Sequence, residues 1–260
     1  MSEISAASRR AMSEGGLPTR NLVEWLSVDR AVLLRSVWGQ IGPGGMVPGV
    51  QQLSERMGGG SALQQSWRVA EYLAGRCNAG GAPWQRMVSH SSDIVREWAA
   101  LLVGLHPAAG FKNRLEWIRP LAQDPHPGVR EIAWIALRQK VIERLPLATR
   151  QLMAWTGNAD PRLRRYAAEI TRPRGVWAPH IAALKEDPSL GLVLLEPLKS
   201  DEDRYVANSV ANWLNDASKS QPGWVLEVTD RWQKESPTMA TQYIVRRALR
   251  TVRKGRSEKG

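Results

Sequence analysis

Apolar residues recur at three- and four-residue spacing along most of this 260-residue chain, with no sustained period-two alternation, so the pattern predicts helices and no sheet. From Thr19 to Trp38, TRNLVEWLSVDRAVLLRSVW predicts one helix with Leu22, Leu26, Val32, Leu33 and Val37 as buried positions. The glycines and prolines of 39–49 break it, both being poor helix formers. A second helix is expected within 50–57, ended by Gly58-Gly59-Gly60, and a third over about 61–76, before a loop at 77–83. Residues 1–16 and 256–260 are polar and read as flexible tails, leaving 17–255 as one domain.

From residue 92 onward the pattern repeats. Ser92-Asp93-Ile94-Val95-Arg96, Pro127-Gly128-Val129-Arg130 and Pro161-Arg162-Leu163-Arg164 each open a predicted helix, with the apolar–arginine pair 34 residues apart at Val95, Val129 and Leu163. The next copy, Tyr205-Val206, comes 43 residues later and lacks the arginine. A helix pair repeating at this period is the signature of an all-α solenoid, and the Asp-Pro-x-Val-Arg type of start points to HEAT-like repeats. Such repeats present a concave face, here a basic one suited to a duplex; a protein scaffold is the other common use of the architecture.

The last two copies hold the candidate chemistry. Asp160-Pro161 and Asp201-Glu202-Asp203 are helix starts, with acidic groups at the positive end of the helix dipole. Leu163, Tyr166, Ala167 and Ile170 form one apolar stripe, and Val206, Val210, Trp213, Leu214 and Ala217 the other. Glu169 and Asp216 each lie off the stripe of their helix, Asp216 on a polar face with Ser209, Asn212 and Lys219. The plain reading of Glu169 is an intrahelical ion pair with Arg165 or Arg172, of Asp216 an exposed acid beside Lys219, and of Trp177 a core residue.

Composition adds charge. Lys and Arg outnumber Asp and Glu by 36 to 25, a balance that suits a nucleic-acid partner and that an arginine-rich composition of codon origin also produces. Arg164, Arg165, Arg172, Arg174, Arg246, Arg247 and Arg250 are the candidate phosphate contacts. The segment Thr241–Gly260 predicts a basic helix with a short tail. No apolar run reaches the roughly 18 residues of a membrane span. The single cysteine excludes an internal disulfide and fits a reducing cytoplasm, and with four scattered histidines no zinc-ligand spacing is present.

LRRYAAEITRPRGVW, DEDRYVANSVANWLNDASKSQPGW and YIVRRALRTVRKG, with LPTRNLVEWLSVDRAVLL and SHSSDIVREWAALLVG upstream, resemble the bacterial DNA alkylation repair glycosylases of the AlkC type, relatives of AlkD. The resemblance runs from about Glu14 to Gly255. It implies a HEAT-like solenoid, acting as a monomer in the bacterial cytoplasm, in association with the nucleoid, on double-stranded DNA carrying alkylated bases, and excising cationic lesions such as 3-methyladenine, 3-methylcytosine or bulkier adducts with neither metal nor organic cofactor. It makes Asp216 and Glu169 the active-site acids, adds Glu131 as a third, with Glu97 in the same VRE context as its rival, and assigns lesion contact to Trp177 and Trp134. The chain departs from the family at Ala207-Asn208 and Arg247, where basic residues and a histidine are usual, and corresponds to the short form without an immunoglobulin-like domain. Lesion range and base flipping stay open, and a non-catalytic HEAT-repeat protein binding bent or branched DNA is the alternative.

Overall fold

The computed structural model, which describes residues 4–47 and 49–257, consists of seventeen α-helices and one 3-10 turn, with no strand among the described residues. The chain divides into two compact units, Met1–Ala136 and Leu137–Gly260. No described helix is long and apolar enough to cross a membrane.

The first unit opens with α1 (Ala6–Ser13), where the sequence predicts a flexible tail. Ser5 caps it by accepting from Ser8 N, and burial of Met12 ties it down. Residues 1–3, and 258–260 of the predicted C-terminal tail, lie outside the described residues. The helix predicted from Thr19 is two, α2 (Leu22–Ser27) and α3 (Arg30–Ile41). The break comes at Asp29, whose carboxylate accepts from Ala31 N and Val32 N and starts α3 afresh. Leu33 and Val37 are buried as predicted, whereas Val32 is partly exposed and Leu22 and Leu26 are about half exposed, because α2 buries Glu24 and Trp25 instead. Then come α4 (Val50–Met57), α5 (Ala62–Ala74), α6 (Ala82–Val88), α7 (Asp93–Leu105) and α8 (Phe111–Ala122). Helix α9 (Pro127–Glu143) passes from the first unit into the second.

The recurring arginine has a structural duty. Arg96 Nη1 donates to the carbonyls of His90 and Ser91, Arg130 Nη1 to those of Asp124 and Pro125, and Arg164 Nη1 to those of Asn158 and Ala159. In each case these are the residues six and five positions back, the turn that enters the helix. Arg96 also forks onto Asp124, and Arg164 onto Asp201, at Nε–Oδ2 distances of 2.7 and 2.6 Å. The 34-residue period therefore records a brace that satisfies turn carbonyls and, at Arg96 and Arg164, also joins one repeat to the next.

The second unit adds α10 (Leu145–Thr156), α11 (Pro161–Ile170), α12 (Ala182–Glu186), α13 (Ser189–Leu195), α14 (Arg204–Ser218), α15 (Pro222–Glu235), α16 (Met239–Ala248) and α17 (Arg250–Ser257). Helix α14 is its centre and packs against both α11 and α16. The predicted stripes are buried: Leu163, Tyr166, Ala167 and Ile170 on α11, and Val206, Val210, Trp213, Leu214 and Ala217 on α14. At roughly 1.5–3 kcal/mol for each large apolar side chain taken from water, these stripes fix how α11 and α14 lie against each other. The predicted basic helix is broken at Leu249 into α16 and α17, and the Asn215 amide holds the break by donating to Ala248 O and Thr251 Oγ1.

Candidate active site

Docking α11 on α14 brings Glu169 and Asp216 to one place, and neither is exposed: they are 4% and 3% accessible. The exposed ion pairs that helical spacing suggests are therefore replaced by buried ones. Arg172, from the turn after α11, lies between the two acids. Its Nη1 donates to Glu169 Oε1 at 2.6 Å, and its Nε and Nη2 to Asp216 Oδ2 at 2.9 and 2.8 Å. Ser209 of α14 donates to Glu169 Oε2 at 2.6 Å, with Arg165 Nη2 3.5 Å from the same oxygen. Lys219 Nζ reaches Asp216 Oδ1 at 3.1 Å.

Three cations thus surround two carboxylates. Burial pushes the Glu169 carboxyl up, but Arg165, Arg172 and the Ser209 hydroxyl outweigh it and hold its pKa below the ordinary carboxylate value. Burial likewise lowers Arg172, and the two acids more than restore it, so its pKa lies above the ordinary arginine value. Glu169 is ionised at neutral pH even though it has left water.

The turn that supplies Arg172 continues to His180 and carries Trp177 at its tip. Arg138, on the second-unit half of α9 and 1% accessible, donates to the carbonyls of Ile170, Arg172 and Pro179. Desolvation lowers the Arg138 pKa to about 10, which still leaves it charged at neutral pH. Ile181 N closes the loop onto Pro173 O at 3.1 Å. On this braced loop Trp177 is 63% exposed, with its neighbour Val176 at 56%, so it is not a core residue. Its φ is +59°, and it is the one non-glycine residue with positive φ among the described residues. A left-handed backbone costs a bulky L-residue roughly 1–2 kcal/mol, so the fold bears strain to present an indole to solvent.

The other predicted acids belong to the first unit. Glu131 is half-buried and its Oε2 accepts from Trp134 Nε1 at 2.9 Å. Trp134 is 2% accessible, so it offers no open ring face to a base; the lesion contact predicted for it is replaced by support of Glu131. Glu97, the rival, is fully buried and both its oxygens lie 2.9 Å from Trp25 Nε1. Desolvation, opposed by the Trp25 hydrogen bond, raises its pKa to about 8. Folding then takes up a proton between about pH 4.5 and 8, and Glu97 costs more stability as pH rises through that window. Glu97→Gln keeps an oxygen for Trp25 and removes the charge. Its urea midpoint is expected to match wild type near pH 4.5 and to exceed it at pH 8, by on the order of 3 kcal/mol in unfolding free energy.

Three of the seven predicted phosphate contacts are spent inside the fold. Arg164 braces its turn and Asp201, Arg165 is 7% accessible and stacks its guanidinium 4.8 Å from the Tyr205 ring centroid, and Arg172 serves the acids. Arg174, half-buried, caps α14 at Asp216 O and donates to Ser220 Oγ. Arg246, Arg247 and Arg250 are exposed. Arg246 and Arg247 flank the Tyr243 ring at 5.7 and 5.6 Å, and Arg250 is oriented by Asn212 Oδ1 at 3.0 Å. At the positions departing from the family, Ala207 is buried and Asn208 accepts from the Tyr243 hydroxyl at 2.7 Å.

Arg138, Ser209 and Lys219 do not figure among the residues predicted to act here. For Arg138 a signal exists: it sits four residues after Trp134 and three before Val141, a charge on an apolar stripe. Among the described residues no group of three or more His, Cys, Asp or Glu is placed to hold a metal ion.

No family model matches the chain. It is 45% identical over 104 residues to the uncharacterized protein YhaZ of Bacillus subtilis (strain 168), covering 40% of this chain and 29% of that protein. Among solved structures it is similar to the Pseudomonas fluorescens alkylpurine DNA glycosylase AlkC bound to DNA containing an abasic site analog, with a TM-score of 0.67 and 26% identity over 86% of this chain and 62% of that one. AlkD2 from Streptococcus mutans gives 0.59 and 20% over 77% and 95% of the two chains. Smu.31 from Streptococcus mutans UA159 gives 0.58 and 22% over 73% and 92%. The chain spans less than two thirds of YhaZ and of the AlkC chain, and it shares the all-helical repeat fold of AlkC and AlkD2.

Proposed function

We propose that this chain is a DNA glycosylase of alkylation repair, hydrolysing the N-glycosidic bond of cationic N3-alkylated bases in duplex DNA. The observation that carries the proposal is the pair of buried carboxylates, Glu169 and Asp216, joined by Arg172 at the start of a braced loop that carries the exposed Trp177. The similarity to a DNA-bound alkylpurine glycosylase supports it.

An N3-alkylated base leaves as a neutral molecule, taking the electron pair of the C1′–N bond, so no proton donor is required. The difficulty lies in the sugar, which becomes oxocarbenium-like. A carboxylate fixed beside C1′ stabilises that charge and accepts the proton of the attacking water. Asp216 takes this role, and Glu169 holds Arg172 so that the fork stays aimed at Asp216 Oδ2. The indole of Trp177 offers its face to the cationic base, an attraction of roughly 0.5–2 kcal/mol. Arg246, Arg247 and Arg250 supply exposed charge for the phosphate backbone.

One observation favours the alternative, a non-catalytic DNA-binding protein: each of the four oxygens of the acid pair already faces a donor. The deciding experiment is release of free base from duplex DNA treated with a methylating agent. Release of 3-methyladenine above the spontaneous rate is expected. Tight duplex binding with no release of methylated or bulkier adducted bases selects the binder.

A further inference from the structure

The donors that surround the acid pair differ in how firmly they are held. Ser209 is 2% accessible. The side chains of Arg165 and Arg172 are 8% and 12% exposed, and each is fixed by more than one contact: Arg165 by Glu169 and the Tyr205 ring, Arg172 by both acids. Lys219 is 41% exposed, sits at the C-terminal end of α14, and holds Asp216 Oδ1 by a single ammonium contact at 3.1 Å. If Lys219 leaves, Asp216 is not stranded, because Arg172 still donates twice to Oδ2. Among these donors it is therefore the one that can move without breaking the cluster.

It must also move if Asp216 is to act. An ammonium 3.1 Å from Oδ1 cancels much of the field that a developing sugar cation would meet, and it occupies the oxygen not committed to Arg172. A duplex backbone offers the ammonium a new partner of the same charge type as the one it leaves. We propose that Lys219 is a positioning residue that shields Asp216 Oδ1 in the free protein and transfers to a DNA phosphate on binding, so that the acid is bared only against bound duplex. This assignment rests on the glycosylase proposal and adds to it a coupling between grip and chemistry.

Lys219→Met keeps the aliphatic stem and removes the charge. Duplex affinity is measured as a function of salt, and base release is followed at saturating DNA. Loss of one phosphate contact is expected to make the slope of log K against log salt shallower by about one unit. The half-saturating DNA concentration should rise by about tenfold, as for an interaction made with the bound duplex. Lys219→Arg should restore the slope. A fall of a hundredfold in maximal rate with the slope unchanged overturns the proposal, since Lys219 would then act in the chemical step. An unchanged slope with only a lower melting temperature also overturns it, leaving a static ion pair. Wild type run alongside separates the two levels: if it releases no base, the glycosylase reading fails, whereas normal release with an unaltered slope in the variant sinks the Lys219 assignment alone.

Discussion

Asp216→Asn is expected to release methylated base at least about 10²–10³-fold more slowly than wild type, the scale on which losing a fixed transition-state charge is felt. Duplex affinity should hold or rise slightly, because a negative charge near the DNA is removed. The substitution is suited to the test because it leaves the geometry in place. The Asn amide oxygen still accepts from Arg172 Nε and Nη2, Arg172 keeps Glu169 as its counter-ion, and the amide nitrogen, which cannot accept, releases only the exposed Lys219 ammonium to solvent. Melting temperature and helical content therefore serve as controls that should move little. Glu169→Gln is a harsher probe, since it takes the counter-charge from both Arg165 and Arg172 in a site with almost no solvent. A rate loss there would mix chemistry with misplacement of Arg172. If Asp216→Asn retains base release within about threefold, Asp216 is a structural anion and the water and sugar cation are handled elsewhere.

The fold and the site were legible to different depths. Stripes such as Val206, Val210 and Trp213 read directly, because helical period reports one buried face. It reports only one face, however. Glu169 and Asp216 lie off that stripe and are buried all the same, because α14 is covered on both sides and Arg172 arrives from a turn to neutralise them. Local spacing does report the partners within reach along the chain, Arg165 and Arg172 for Glu169 and Lys219 for Asp216, but not the cover of α14 or the Arg172–Asp216 contact 44 residues apart that make the cluster buried. The Val-Arg repeat shows the same limit. Its period identified the architecture, but the duty of Arg164 is to carbonyls of its own turn and to Asp201, a partner 37 residues on. Turn carbonyls and next-repeat carboxylates compete with phosphates for the same guanidinium, so an arginine count does not report free contacts. The split at Asp29 has a local signal, since an aspartate before an apolar helical run is a cap, but the apolar spacing on either side runs on nearly in phase and masks it.

Trp177→Gly is expected to separate function from stability in the opposite sense to most tryptophan removals. A buried tryptophan lost from a core costs about 3–5 kcal/mol. Trp177 is 63% exposed and holds a φ of +59°, so the substitution forfeits little packing and replaces a strained residue with one that adopts that backbone freely. The gain from relieved strain, roughly 1 kcal/mol, is opposed by the greater freedom of glycine in the unfolded chain. The melting temperature should stay close to that of wild type. The concentration of lesion DNA needed for half-maximal base release should rise by up to about 10–30-fold, the factor to which a lost cation–π contact near the upper end of its range corresponds, with a smaller change in the maximal rate because the base gives up its charge as it leaves. Because that contact needs a positive charge on the base, Trp177→Phe should recover part of the loss. Binding to undamaged duplex, which presents no cationic base, should change far less than binding to a stable cationic analogue. A variant that binds both DNAs like wild type and releases base at the wild-type rate would show that the strain at Trp177 serves neither lesion recognition nor catalysis. A variant that melts several degrees lower would instead show that the indole supports the loop braced by Arg138. The two results are told apart because the carbonyl contacts of Arg138 to Ile170, Arg172 and Pro179 do not involve the indole, and they should persist when it is gone.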